Sequence, residues 1–95
     1  MSLQVDLSNK VVLVTGAGRG MGKAFALAFA GQGARVVIND IEAAGLGGVA
    51  DTIREKGGKV LACPGDISRK DQFDDMIAQA VKVFGSLDIL VNEAA

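Results

Sequence analysis

Val11-Val-Leu-Val14-Thr15-Gly16-Ala17-Gly18-Arg19-Gly20-Met21-Gly22 is the stretch on which the fold turns. Its first four residues are continuously apolar, with polar Asn9-Lys10 before them and glycine close behind. Such a run reads as a strand buried on both faces. The segment from Met21 to about Gln32 is rich in Ala, Leu and Phe, and Ala is the best helix former. Gly33 supplies its stop, and Phe25, Ala28 and Phe29 are expected on one face. Strand, glycine loop and helix therefore follow one another directly. Amides at a helix start have no intrahelical acceptor, and the helix dipole puts partial positive charge there. A phosphate group is the natural occupant of such a place. Glycine suits it because a side chain would block close approach, and because the tight turn calls for positive φ. Gly22, inside the helix, is expected to let the helix pack closely on the sheet.

Outward from this stretch the pattern repeats. Arg35-Val-Val-Ile38 reads as a second strand that ends at Asn39-Asp40. A second helix is expected from about Ala43 to Lys56, although Gly45, Gly47 and Gly48 each cost up to about 1 kcal/mol there. Gly57-Gly58 ends it, and Lys59-Val-Leu-Ala-Cys63 is a third strand closed by Pro64-Gly65. Ser68 is predicted to cap a third helix, with Asp71 three residues on as a weak partner. Phe73, Met76, Ile77, Ala80, Val81 and Phe84 recur at helical spacing, which marks an amphipathic helix. Gly85 stops it, and Leu87-Asp-Ile-Leu-Val91 is a fourth strand. The order β-α-β-α-β-α-β with short connections implies a parallel sheet, right-handed crossovers and helices on both faces. The expected fold is a Rossmann-type doubly wound α/β sheet, truncated after its fourth strand, with residues 1–95 as one unit.

Composition narrows the function classes. At 95 residues the chain is short for a domain, since about 100–200 is usual. The net charge of −1 offers no basic surface for nucleic acid and no polybasic membrane anchor. The lone Cys63 rules out an internal disulfide and fits a reducing compartment. With no His, imidazole metal sites and Ser-His or Cys-His pairs are excluded, and no metal site is expected. The first ten residues lack the charged and apolar regions of a targeting segment, and no apolar run approaches the ~18 residues of a membrane span. A cytoplasmic location is the expectation.

A glycine cluster alone is weak evidence of nucleotide binding, because plain strand-to-helix turns also use glycine. Here the cluster follows a buried strand and opens a helix, and acidic Asp40 ends the next strand about 20 residues on. From there Asp40 is placed to accept hydrogen bonds from ribose hydroxyls. The spacing G-x-G-x-x-G does not fit, since it needs Gly at Met21 or at Lys23. What fits is T-G-x-x-x-G-x-G. The G-x-x-x-x-G-K-[ST] loop of phosphate-transfer enzymes is missing.

That glycine pattern resembles the short-chain dehydrogenase/reductase family. The similarity extends from Leu7 onward and includes Asn9-Lys10 through Thr15-Gly16, Gly33-Ala34-Arg35-Val36-Val37, Asp66-Ile67-Ser68, and Phe84-Gly85-Ser86-Leu87-Asp88 through Asn92. It implies that Gly16, Gly20 and the amide of Met21 line a pyrophosphate. It implies that Asp40 binds the adenosine ribose, with Ile41 beside the adenine. The Asp66 carboxylate would meet the adenine amino group and Ile67 would cover the ring. A plain helix-start carboxylate is the rival reading of Asp66. Asn92 and Ala94 fall where the family has Asn-Asn-Ala-Gly, a segment that touches the cofactor ribose and that Thr15 would tie to the first strand.

Cofactor choice lies between Asp40 and Arg19. A carboxylate at the ribose repels a 2′-phosphate, whereas Arg19 could attract one or could be a solvated loop residue. No basic residue follows Asp40, and Glu42 adds a second acid, so NAD is favoured over NADP. Glu93 and Ala95 depart from the family pattern, Glu93 by adding a negative charge near the expected anion. The family's catalytic Ser and Tyr-x-x-x-Lys lie beyond the fourth strand, and this chain has no Tyr. The resemblance therefore implies the cofactor-binding segment of an oxidoreductase that moves hydride between NAD and an alcohol or carbonyl compound, with no catalytic residue in these 95 positions. A stand-alone dinucleotide-binding module without catalysis is the alternative, and a methyl-transfer domain is a further one. The partners expected are a dinucleotide and, in a longer parent, a small-molecule substrate of unread identity. The fourth strand, apolar and at an edge, is expected to promote self-association.

Overall fold

The computed structural model describes residues 6–93. Seven elements alternate along the chain: β1 (Val11–Thr15), α1 (Gly20–Gly31), β2 (Arg35–Ile38), α2 (Ala44–Glu55), β3 (Lys59–Ala62), α3 (Lys70–Phe84) and β4 (Ile89–Asn92). All strand pairs are parallel, and the sheet order is β3-β2-β1-β4. Register is set around β1, where Leu13 lies opposite Val37 on one side and Leu90 on the other.

β1 is apolar along Val11–Val14 because both its faces are covered. Alternate residues Val12 and Val14 join Val36 and Ile38 in a core roofed by Ala26 of α1 and by Leu46, Val49, Ala50 and Ile53 of α2. Val11, Leu13 and Val37 point the other way, against Met76 and Ala80 of α3. Each fully buried Val or Leu contributes about 1.5–3 kcal/mol, so the central strands carry much of the stability. One chain thus makes a three-layer sandwich, with α1 and α2 on one face and α3 on the other.

Several expectations are corrected in detail. The core side of α1 is Gly22 and Ala26, whereas Ala28 is exposed; Phe25 and Phe29 stack with ring centroids 6.4 Å apart at its flank. Ser68 does not cap α3. Arg69 occupies that position without a side-chain bond, and Ser68 lies in the turn before it, donating its amide and hydroxyl to Asp66 Oδ1. β4 begins at Ile89 and not Leu87, since Asp88 turns its carboxylate to the Val11 amide at 2.8 Å while its own amide donates to the Val11 carbonyl. That bond, foremost, holds the Asp88 carboxyl below its ordinary value.

Candidate functional site

A cleft of about 940 Å³ opens at the carboxyl ends of the strands. The chain runs β1, β2, β3 outward and then returns to place β4 on the other side of β1. Crevices outside the strand ends at such a reversal are where open α/β sheets bind ligands. Gly16, Arg19, Gly20, Met21, Asp40, Ile41, Asp66, Ile67 and Asn92 all line this cleft. The topology has brought together residues spread over three crossovers. Ala94 lies outside the described residues.

The β1–α1 turn forms one wall. Gly16 and Gly20 sit at φ of 62° and 61°, where a side chain is strained. A Cβ on Gly20 would meet nothing within 4 Å, so its absence leaves open space at the helix start. The first α1 bond runs from the Lys23 amide to the Arg19 carbonyl. The amides of Gly20, Met21 and Gly22 precede it and lack an intrahelical acceptor. No acid stands in the first turn of α1, and Arg19 offers no side-chain cap.

Three close approaches fix this turn. A Cβ on Gly22 would lie 2.0 Å from the Gly16 carbonyl oxygen, so Gly22 serves contact with the loop and not, as expected from sequence, with the sheet. The Gly18 amide donates to Asp40 Oδ2 at 3.0 Å, and a Cβ on Gly18 would lie 2.9 Å from that oxygen. A Cβ on Gly45 would lie 2.6 Å from the Gly18 carbonyl oxygen. Gly45 is the glycine of α2 that earns its place, by letting the helix start seat on the loop.

Asp40 accepts the Gly18 amide on one oxygen and the Glu42 amide, at 3.2 Å, on the other. A carboxylate has about four acceptor sites, so each oxygen retains capacity for a hydroxyl donor. Ile41 beside it is 69% exposed, and Met21 across the cleft is 66% exposed. On the next wall Asp66 Oδ1 accepts both the amide and the hydroxyl of Ser68, at 2.9 and 2.6 Å. These bonds, the hydroxyl's first, hold its carboxyl below the ordinary value. Its amide donates to Gln72 Oε1 at 2.7 Å. Ile67 is half-buried against the α3-side core. At the fourth wall Thr15 Oγ1 donates to Asn92 Oδ1 at 2.9 Å and accepts the Glu93 amide at 2.9 Å. The tie between Thr15 and the β4 end is as expected.

Sequence reasoning missed Asn39, which is buried and lines the cleft floor. Its only outward sign was a polar residue in the last position before Asp40 of an apolar strand. Glu93 and Ser68 also line the cleft. Cys63 is a poor nucleophile: burial, and next the charge of Asp75, push its thiol up from the usual value. Among the described residues no group of His, Cys, Asp and Glu is placed to hold a metal ion, and no helix is long and apolar enough to cross a membrane.

A parallel sheet sandwiched between helices, with its cleft at the strand reversal, defines the Rossmann-type class of α/β proteins. Within that class the chain belongs to the short-chain dehydrogenase family, whose model matches residues 10–95. It is 47% identical over 90 residues to the (2S)-[(R)-hydroxy(phenyl)methyl]succinyl-CoA dehydrogenase subunit BbsD of Thauera aromatica, covering 95% of this chain and 36% of that protein. It is 41% identical over 88 residues to the 7alpha-hydroxysteroid dehydrogenase of Escherichia coli strain K12, covering 93% of this chain and 34% of the relative. The crystal structure of a hydroxysteroid dehydrogenase from Escherichia coli superposes with a TM-score of 0.91 at 40% identity, over 95% of this chain and 38% of that one. A 7alpha-hydroxysteroid dehydrogenase complexed with NADH and 7-oxo glycochenodeoxycholic acid gives 0.89 at 39% identity, over 94% of this chain and 35% of the other. The chain spans about a third of the length of these relatives.

Proposed function

We propose that this chain binds the adenosine and diphosphate portion of NAD(H), as the cofactor-binding part of an oxidoreductase acting on an alcohol or carbonyl substrate. The observation that carries the reading is the start of α1. Gly20, Met21 and Gly22, whose amides lack intrahelical acceptors, line a cleft in which a Cβ on Gly20 would meet nothing, and Asp40, bonded to the loop at the Gly18 amide, lines the same cleft. Gly16, Gly20 and Met21 take the diphosphate. Asp40 takes the ribose hydroxyls, Ile41 and Ile67 flank the adenine, and Asp66 accepts from its amino group. Asn92 and the segment holding Ala94 support the cofactor from β4. Bound NAD would supply the hydride chemistry; the residues of this chain bind and orient it.

Asp40 also sets the preference for NAD over NADP. A 2′-phosphate beside that carboxylate meets like charge, and like charges a few ångströms apart cost several kcal/mol at intermediate dielectric. Calorimetry on the 95-residue chain should give binding of NAD tighter than NADP by about tenfold or more. Gly20→Val should abolish both, because it fills the space the diphosphate needs. Unchanged NAD affinity in Gly20→Val would overturn the reading. No turnover of an alcohol is expected from the chain alone, which has no Tyr to serve as acid or base.

In the 95-residue chain the edge of β4 is proposed to pair with a second copy. Among the described residues β4 is an edge strand of the sheet, and Leu90 on it is 48% exposed. Open apolar edges recruit further strands. Light scattering should show dimers or larger species growing with concentration; a monomer at the highest concentration would refute this.

A further inference from the structure

Asn39 follows the last residue of β2 and is 1% exposed, one of two buried polar side chains among the described residues. Buried amides are costly unless their hydrogens are used. Here both are: Nδ2 donates to the Cys63 carbonyl at 2.9 Å and to the Gly65 carbonyl at 3.0 Å. Those two carbonyls flank Pro64, which has no amide hydrogen to give. Backbone pairing of β2 with β3 continues past the strands through Cys63 to Ile38 and Gly65 to Asp40. The Asn39 side chain occupies the gap between them and holds the segment that leads into Asp66. Its backbone is equally committed, with the amide on the Val14 carbonyl and the carbonyl on the Ala17 amide. One residue therefore touches three walls of the cleft.

We infer that Asn39 is a positioning residue that sets the separation of the Asp40 and Asp66 walls, and so the width of the adenosine end of the cleft. The inference rests on the nucleotide reading above. The division of labour is specific: the side chain governs the Asp66 wall alone, while the glycine loop is held through the Asn39 backbone, which a substitution leaves in place. Removing the amide loosens the Asp66 wall, which keeps only its backbone bonds from Cys63 to Ile38 and from Gly65 to Asp40, and spares the diphosphate wall. Asn39→Asp is more severe than Asn39→Ala, because a carboxylate oxygen would then face two carbonyls.

The test is an NMR titration of the full chain with AMP and, separately, with inorganic pyrophosphate. Asn39→Ala should weaken AMP by about tenfold or more and leave pyrophosphate within about twofold. A variant acting only through general stability would weaken the two together, and that result overturns the inference, as does unchanged AMP affinity. If Asn39→Ala does not fold, the wild-type side-chain amide signals of Asn39 decide. They should exchange slowly with solvent and shift with AMP but not with pyrophosphate; fast exchange, or indifference to AMP, overturns the inference. A wild-type chain that binds neither probe brings down the nucleotide reading and this inference with it. Binding of both probes with equal loss in Asn39→Ala removes only the role of Asn39.

Discussion

The start of α1 and the turn that leads into α3 line the same cleft, and they are built to opposite plans. α1 begins with glycine, carries no acid in its first turn and leaves three amides without intrahelical acceptors. α3 begins beside its own anions: Asp71 stands in its first turn, and Asp66 lies just upstream with its Oδ1 already bonded to Ser68. A helix start that has acids of its own has little left for an incoming one. The contrast supports the proposal that an anionic group binds at α1, with the α3 side left for neutral or hydrogen-donating groups. The diphosphate and the adenine of a dinucleotide divide in this way.

The most damaging way to break the contrast is Gly22→Ala. Its Cβ would lie 2.0 Å from the Gly16 oxygen, a backbone atom that cannot swing aside. Overpacking of this kind costs about 1–3 kcal/mol, and with a backbone atom in the way the upper end is expected in urea unfolding. An alanine without effect would mean that the helix start is not held by this contact. A second substitution gives α1 the plan of α3. Arg19→Asp puts a capping carboxylate at the N-cap, where Arg19 now makes no cap bond. The unliganded chain should gain about 0.5–1 kcal/mol in thermal or urea unfolding. Its NAD affinity should nonetheless fall, because the new carboxylate competes for the same amides. Gain of stability without loss of affinity would dissolve the contrast.

The smallest effect concerns pH. In the fold, Asp66 and Asp88 have carboxyl pKa values below the ordinary 3.8, Asp66 through Ser68 and Asp88 through the Val11 amide. The folded state therefore prefers their ionised forms. Their contribution is present above the ordinary value and is lost as pH falls through the lowered ones. Asp66→Asn should flatten the acid limb of the stability profile slightly, and Asp88→Asn should do the same from the far end of the sheet. Both carboxylates are solvent-accessible, so screening keeps the changes small. Denaturant unfolding repeated at falling pH would measure them.

How much of this could be read beforehand depended on the range of the forces involved. The strand before Thr15 and the positive-φ turn at Gly16 and Gly20 were legible because each is a local requirement met by a fixed residue type, whereas the need for glycine at 22 was legible but its partner, the Gly16 carbonyl, was not. The alternation of elements gave the parallel sheet and its helices on both faces. Ser68 was misread because Asp66, two residues upstream, folds it into a turn by accepting both its amide and its hydroxyl, and the helix starts one residue later, after Arg69. Gly45 looked like a mere cost to α2, since nothing local announces a carbonyl 2.6 Å away from its missing Cβ. Asn39 was invisible as a participant because its partners lie 24 and 26 residues further along. Contacts that require the finished sheet leave the weakest trace in the chain.

The place of β4 has a consequence for how the molecule is made. β1, one of the two interior strands, is synthesised before β2, β3 and β4, yet one of its flanks is filled only by residues some 77 positions later, where Asp88 reaches Val11. Closing so long a loop is slow relative to joining neighbours. During translation β1, β2 and β3 can assemble while the Val11–Thr15 margin is still bare, so the emerging chain carries an unfinished seam until β4 (Ile89–Asn92) has left the ribosome.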